Sequence, residues 1–515
     1  MNPWTSGYVA DIGYTFGYYT ELNPQRVPFA LLAAGIAPPS ISSACELGFG
    51  QGLSINLHAS ASGVNWWGTD FNPAQAGFAQ ELSAASQANC SLFDQSFEDF
   101  AERADLPEFD FIGLHGIWSW ISDANRAVIV DFIAKRLKVG GVLYISYNTL
   151  PGWAAFAPMR HLMTEHVEIL GAEGRGIVSR IDGAIDFAEK FLATNPLFLR
   201  ANPLVGERLT KLKEQNRHYL AHEYFNRDWH PMHFATLAEW LSPAKVQYAC
   251  SANFLDGIDA VNLTAEQQAF LVEIPDPMFQ QTVRDFMVNQ QFRRDYWVKG
   301  ARRLTSYEQA KALRAQQVVM VNPRGDIALK VTGSLGEATL NEPIYKPVLD
   351  ALEGHKLLSL GEIESQLSGQ VNFAQLVQAI TVLMGAGHVV SVQPSQAAAV
   401  AKPTSARLNA YLQEKSKGTG DLSYLASPVT GGGVPVSRFG QLFLLAYSQG
   451  KKTPEDWAKE AWELLASQGQ RLIKEEKTLE TPEENLQELT QQAKEFHDKR
   501  LPILKALGLA NQTDS

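Results

Sequence analysis

The sequence predicts an α/β protein, a parallel sheet with helices on both faces, carrying a helical insertion and a mainly helical C-terminal region. Three observations carry this. Short apolar runs alternate with helix-like runs over residues 41–150, the pattern of a parallel sheet. A stretch of helical period, rich in Arg, Lys and Glu, breaks the alternation at 154–228. Beyond about residue 306 the chain reads as helices with few strands. Strands are expected near SSACEL, VNWWGTD, CSLFDQ, FDFIGLH and GGVLYISY, with helices around 52–60, 73–88 and 124–137. After the insertion, HFATLAEWLSPA reads as a helix and KVQYACSA as a strand. Helices then run to about 290, and a strand-like DYWVKG completes the sheet. The core therefore spans 36–153 and 229–305, with 1–35 as an N-terminal lid and 154–228 as the insertion. Within a middle domain at 306–394, three helices followed by HVVSVQ have the scale of a winged-helix-like module. PSQAAAVAKPTSA (394–406) reads as a linker into a helical domain at 395–515. There TPEENLQEL starts a helix, with Thr481 as N-cap, Pro482 at the first helical position and Glu483 and Glu484 in the first turn.

A chain of 515 residues implies two to four domains. The formal net charge of -11 argues against broad nucleic-acid or anionic-membrane binding, which needs a basic surface. It leaves room for a basic substrate such as lysine. Cys45, Cys90 and Cys250 are widely spaced and form no CxxC, so neither a disulfide framework nor a cysteine-rich zinc site is expected. A reducing cytoplasm is the expected setting. The N-terminus lacks the basic and apolar regions of a signal peptide, and no apolar run is long enough to span a bilayer.

Ligands of open α/β sheets bind outside the carboxyl ends of the strands. The residues there are Glu46, Asp70, Ser96, His115 and Tyr147. The first strand ends in SACELGFGQGLS, a GxGxG loop of Gly48, Gly50 and Gly52 with Glu46 ahead of it. A dinucleotide site would show GxGxxG and bring pyrophosphate to the following helix. A carboxylate at that point repels pyrophosphate and suits a ligand that is cationic there. S-adenosylmethionine fits, having an ammonium, a sulfonium and no phosphate. Asp70 lies one βα unit later, where a ribose-binding acid belongs, with a helix N-cap as its alternative role. Ser96 could bond adenine and Phe97 pack on it, or Phe97 could be core.

With these residues in place, E-L-G-F-G-Q-G, G-T-D-F-N-P and Q-S-F resemble the first three motifs of class I S-adenosylmethionine-dependent methyltransferases. YTFGYYTELNP (14–24), LHGIWSW (114–120), YNTLPGW (147–153), HEYFNRDWHP (222–231) and DFMVNQQFRRDYWVKG (285–300) resemble the bacterial family that carries a methyltransferase regulatory domain. That family includes rickettsial protein lysine methyltransferases modifying outer-membrane protein. The likeness covers roughly residues 8–305. It implies a Rossmann-like seven-stranded core. It also implies that Glu46, Gly48, Gly50 and Gly52 hold the methionine moiety and Asp70 the ribose, with Phe71 beside it. Ser96 and Phe97 would face adenine, and His115 with Gly116 would line the cofactor at the fourth strand.

The acceptor side is less marked. The Asn/Asp-Pro-Pro-aromatic signature of base and glutamine methylation is absent after the fourth strand, where HGIWSW stands. Aromatic residues are plentiful: Trp118, Trp120, Tyr147 and Trp153, with Asn148 after the fifth strand. Tyr14, Tyr18 and Tyr19 lie where a lid would close over the cofactor. Candidates for the acceptor site are Tyr14, Tyr18, Trp118, Tyr147 and Asn148, each with packing as the alternative; Trp120 reads rather as core. His222, Tyr224 and Asn226 could face the site from the end of the insertion. His230 and His233 read as helix packing rather than a metal pair, and no metal is expected. Gly431–Gly433 reads as a flexible turn, and Arg293 with Arg294 as a solvated or salt-bridged strand edge. The charged helices of 470–500 suit an amphipathic bundle or an oligomer contact, so a homodimer is allowed. Three functions are open: methyl transfer to protein lysine, transfer to a small molecule, or non-catalytic cofactor binding.

Overall fold

The computed structural model describes residues 15–171, 176–226 and 228–510. Seven strands make one sheet: β1 (Ser43–Leu47), β2 (Asn65–Thr69), β3 (Cys90–Phe93), β4 (Phe109–Leu114), β5 (Leu137–Asn148), β6 (Val246–Ser251) and β7 (Phe292–Lys299). Their order is β3-β2-β1-β4-β5-β7-β6. Strands β1 to β5 pair in parallel, while β7 runs antiparallel between β5 and β6, with Tyr144 opposite Tyr296. The sequence reading found all seven strands but not this reversal, because residue type carries no strand direction.

A sheet covered on both faces needs apolar side chains on both. Alternate residues of β1 accordingly divide between two cores, Ala44 in one and Cys45 and Leu47 in the other. Trp66 and Trp67 of β2 divide the same way. The crossover helices are α1 (Arg26–Ala33), which leads into β1, then α2 (Leu53–Ala61), α3 (Pro73–Ser86), α4 (Phe97–Ala101) and α5 (Asp123–Arg136). The predicted helices lie within two residues of these bounds. Strand order reverses at β1, whose neighbours are β2 and β4, so a crevice opens at the carboxyl ends of β1 and β4.

The insertion has its own core around Met163, Ile185, Leu209 and Leu220. Its helices run Ala157–Ile169, Gly176–Ala193, Leu204–Lys213 and Arg217–Tyr224. After the sheet, Gln317–Met320 pairs antiparallel with Leu358–Ser359 and Val389–Val392. Helices Glu342–Ala351, Leu360–Gln366 and Phe373–Gly385 pack with this small sheet.

Three expectations are corrected. Residues 394–406 are not a linker: a helix runs Ser395–Ser416 with Pro403 inside it. Its AAAVA run favours helix, and docking on α2 offsets the cost of the proline, with Thr404 Oγ1 and Ser405 Oγ both donating to Ser60 O. Gly431–Gly433 is a close-packed turn rather than a loose one. A Cβ at Gly432 would lie 2.4 Å from Tyr18 Oη, and one at Gly433 2.8 Å from Tyr18 Cδ2. Arg293, expected at a solvated or salt-bridged strand edge, is salt-bridged, to Asp285 (2.6 Å) and Asp295 (2.9 Å), but it is 5% exposed and its strand is interior rather than an edge. The helix Pro482–Glu495 does start at a capping box of Thr481 and Glu484.

Candidate active site

The crevice holds a cavity floored by the glycine loop. Gly48, Gly50 and Gly52 all have positive φ (75°, 58° and 69°), conformations that strain any side-chain-bearing residue. A Cβ at Gly52 would sit 2.3 Å from Ala79 Cβ, so this glycine also lets α2 approach α3. Gly48 N–H donates to Thr69 O (2.8 Å), tying the loop to β2. Asp70 ties it again: Oδ2 accepts from Gly50 N–H at 2.9 Å and Oδ1 from Asn72 N–H at 3.0 Å. Asn72, not Asp70, is the N-cap of α3. Each Asp70 oxygen retains acceptor capacity for a hydroxyl.

Of the residues expected to hold the cofactor, Gly48, Gly50, Gly52, Asp70, Phe71, Ser96, Phe97, His115 and Gly116 line this cavity. Ser96 has a further duty as N-cap of α4, accepting from Asp99 N–H (3.1 Å) and donating to Asp99 Oδ2 (2.7 Å). Glu46 is 1% exposed, at the end of β1, and does not reach the cavity wall. Its Oε2 is buried with no hydrogen-bond partner. Burial, with the Asp70 charge adding to it, pushes the Glu46 carboxyl up to about 8. Burial also raises Asp70 to about 6, against the two N–H bonds that favour its ionised form. Among the described residues, Asp70, Glu223 and Asp228 line the cavity while no Lys or Arg does. That surround disfavours phosphate and suits a cation. An orphaned buried carboxylate oxygen behind a glycine loop, with a second carboxylate one strand over, fits S-adenosylmethionine.

A second, larger cavity of about 810 Å³, against about 190 Å³ for the first, opens between the sheet and the insertion. The two share a wall that includes Thr15, Gly17, Tyr19, His115, Gly116, Trp120 and Glu223. His115 stacks on Tyr19 (centroids 3.6 Å apart), and its Nδ1 meets Tyr144 Oη at 2.8 Å. Burial lowers the His115 pKa to about 4, so the ring is neutral at pH 7. Ser146 Oγ accepts from Gly116 N–H at 2.7 Å. Tyr19 N–H donates to Ser54 Oγ at 3.2 Å on α2.

The acceptor candidates fare unevenly. Asn148 lines the larger cavity. Tyr14 lies outside the described residues. Three others are corrected, for none reaches either cavity. Trp118 is fully buried, with its Nε1 directed at Met232 Sδ. Tyr147 points to the opposite face of β5, donating to Asp295 Oδ2 at 3.1 Å. Tyr18 packs between His58 and Tyr424, both with ring centroids 5.1 Å away. Trp120, read as core, instead lines both cavities. His222 lines the first cavity and Tyr224 the second, as the HEYFN motif suggested; Asn226 lines neither and donates from Nδ2 to His222 O at 2.6 Å. His233 stacks on Phe286 at 5.7 Å, a packing role. Sequence reasoning missed Glu223, Tyr144 and Ser146. The last two were findable, since Tyr144, Ser146 and Asn148 share one face of a strand.

A sheet ordered β3-β2-β1-β4-β5-β7-β6 with one reversed strand, and an acid-lined cavity at its switch point, define the class I methyltransferase fold. The structure of PKMT2 from Rickettsia typhi in complex with AdoHcy aligns at a TM-score of 0.69 and 17% identity, covering 96% of this chain and 100% of that one. A second structure of the Rickettsia typhi PKMT2 aligns at 0.66, also at 17% identity, covering 95% and 99%. Residues 216–299 match the family described as "predicted methyltransferase regulatory domain". Protein sll1526 of Synechocystis sp. is 41% identical over 514 residues, 98% of this chain and 100% of its own, and the chain belongs to that protein's family. Protein RP789 of Rickettsia prowazekii is 23% identical over 304 residues, 56% of this chain and 53% of its own.

Proposed function

We propose that this protein is an S-adenosylmethionine-dependent methyltransferase acting on the amine of protein lysine side chains. The observation that carries the reading is the glycine-floored cavity, lined among the described residues by carboxylates without a Lys or Arg, with the unpartnered Glu46 Oε2 behind it. When bound, the cofactor supplies a methyl group on a sulfonium, a leaving group that needs no general acid. Asp70 accepts the ribose hydroxyls, and Phe71 and Phe97 pack against the nucleoside. Glu46 and Asp70 balance the cofactor's positive charge. His115, Gly116, Trp120 and Tyr19 border both cavities, so the acceptor amine would meet the methyl group where the two adjoin, with these residues limiting water there. An amine must be neutral to attack, so the acceptor gives up its proton before transfer. Asn148 is placed to orient it, and orientation supplies much of the rate. The acceptor reaches this point through the cavity between the sheet and the insertion.

Calorimetric titration with S-adenosylmethionine and its demethylated product tests the cofactor. Micromolar binding lost in Asp70→Ala is the expected result; no binding by the wild type refutes it. Intact-mass analysis of lysine-rich proteins incubated with labelled cofactor tests the acceptor. Mass gains of one methyl unit on lysine are expected, and label appearing only in small molecules overturns the lysine assignment.

A further inference from the structure

The larger cavity contains a cation already in place. The Arg208 guanidinium carbon lies 3.7 Å from the Trp153 ring centroid and 4.9 Å from that of Phe156. Tyr224 stands 5.8 Å from Trp153 and perpendicular to Phe156 at 6.2 Å, and its hydroxyl hydrogen-bonds with the Arg208 guanidinium, closing a third side. These rings are fixed: all three residues are less than 8% exposed, and Trp153 Nε1 donates to Gln291 O at 3.0 Å. Rigid aromatic faces around a positive charge form a recognition site for ammonium and guanidinium groups. Arg208 itself is only half-buried, on the insertion helix Leu204–Lys213, while Trp153 and Phe156 lie between β5 and the helix Ala157–Ile169, and Tyr224 ends the helix Arg217–Tyr224. Glu207, Glu223 and Lys211 line the same cavity. Arg208 brings these charges to balance, and its withdrawal leaves two carboxylates against one ammonium, a surround that favours an incoming cation.

We propose that Trp153, Phe156 and Tyr224 form a subsite for a cationic group on a flexible chain, and that Arg208 is its resident occupant, displaced when such a ligand binds. The inference rests on reading this cavity as the acceptor's. It goes further in making the subsite self-occupied, so that every basic ligand competes with Arg208.

The probe is tetramethylammonium chloride, titrated by saturation-transfer NMR against wild type, Arg208→Ala, Arg208→Gln and the double variant Arg208→Ala/Trp153→Leu, with tert-butanol as neutral control. Arg208→Ala and Arg208→Gln are expected to bind the cation about tenfold tighter than wild type. The double variant is expected to lose this gain, and tert-butanol to show no difference. Equal binding by wild type and both single variants overturns the proposal, as does a gain that survives Trp153→Leu. Unfolding of both single variants by circular dichroism also overturns it, since Arg208 would then be a structural pin. No cofactor or turnover enters the measurement, so its failure is distinguishable from failure of the methyltransferase reading.

Discussion

Glu46 gives the sharpest test of the cofactor site. Its carboxyl sits at about 8 because it is buried, with the Asp70 charge nearby. At about pH 6.5 it is protonated, and ionising it to meet a cation costs about 2 kcal/mol, at about 1.4 kcal/mol per unit. At about pH 7.5 the cost falls to about 0.7 kcal/mol. A ligand bearing an α-ammonium that stays protonated across this window should therefore bind about tenfold tighter at the higher pH. Asp70, at about 6, is mostly ionised across this window and adds little slope. The assay is calorimetry with the demethylated cofactor in two buffers of different ionisation enthalpy. Wild type should release close to one proton at about pH 6.5, and Glu46→Gln should release none and bind with a flat pH profile. A flat profile in wild type, or a slope that persists in Glu46→Gln, refutes the reasoning. The unliganded protein should show the opposite slope in stability. Above the ordinary glutamate value of 4.5 the unfolded chain gives up a proton that folded Glu46 keeps until about 8. Glu46 therefore makes folding less favourable as pH rises through that window, and Glu46→Gln should remove its share of the decline.

Other substitutions separate binding from scaffolding. Asp70→Asn replaces an acceptor with a donor at one of its two oxygens and should weaken binding of the demethylated cofactor by about 10- to 100-fold in calorimetry, the worth of one or two charge-assisted bonds. Gly52→Ala forces a positive φ on alanine and a 2.3 Å approach to Ala79 Cβ. It should cost about 3 kcal/mol in urea unfolding, and a cost below about 1 kcal/mol would show that the loop relaxes freely. Tyr147→Phe removes the donor to Asp295 and should cost about 1–2 kcal/mol while leaving turnover within about twofold. A large loss of turnover would return Tyr147 to the active site.

The cavity at the switch point of the sheet was legible because most of its parts recur with the βα period. Glu46, Asp70 and the Ser96–Phe97 pair each end or follow a strand, and strand ends can be read from apolar runs. The acceptor half depends on which of two neighbours faces inward, and composition does not say. Tyr19 stacks on His115 while Tyr18 turns away; Asn148 lines a cavity while Tyr147 faces the other layer. Trp118 and Trp120 lie in one 3₁₀ turn (Trp118–Trp120), yet only the second reaches the cavities. The decisive clue in β5 was its alternation. Asn148, once placed inward, carries Ser146 and Tyr144 with it, and these two hold Gly116 and His115. The linker at 394–406 was misread for a related reason: its proline is a local signal, whereas the contacts that stabilise the helix come from Ser60.

The C-terminal region bears on the site through the segment it clamps. The hairpin of Tyr424–Ser427 and Gly432–Pro435 brings Gly432 and Gly433 against the Tyr18 ring, closer than any side chain would permit. Asn23 Nδ2 donates to Thr430 O at 3.1 Å in the turn of the same hairpin. Tyr18 is thus held on one side while Tyr19, the next residue, is held on the other by Ser54 and His115. The stretch that closes both cavities is therefore positioned as much from residues 424–435 as from the sheet. Glycine is needed in that hairpin for a reason found in neither a phosphate nest nor a loose turn. Without Cβ atoms at 432 and 433 the hydroxyl and one edge of the Tyr18 ring can approach the backbone closely, and its neighbour can then reach the residues that border both cavities.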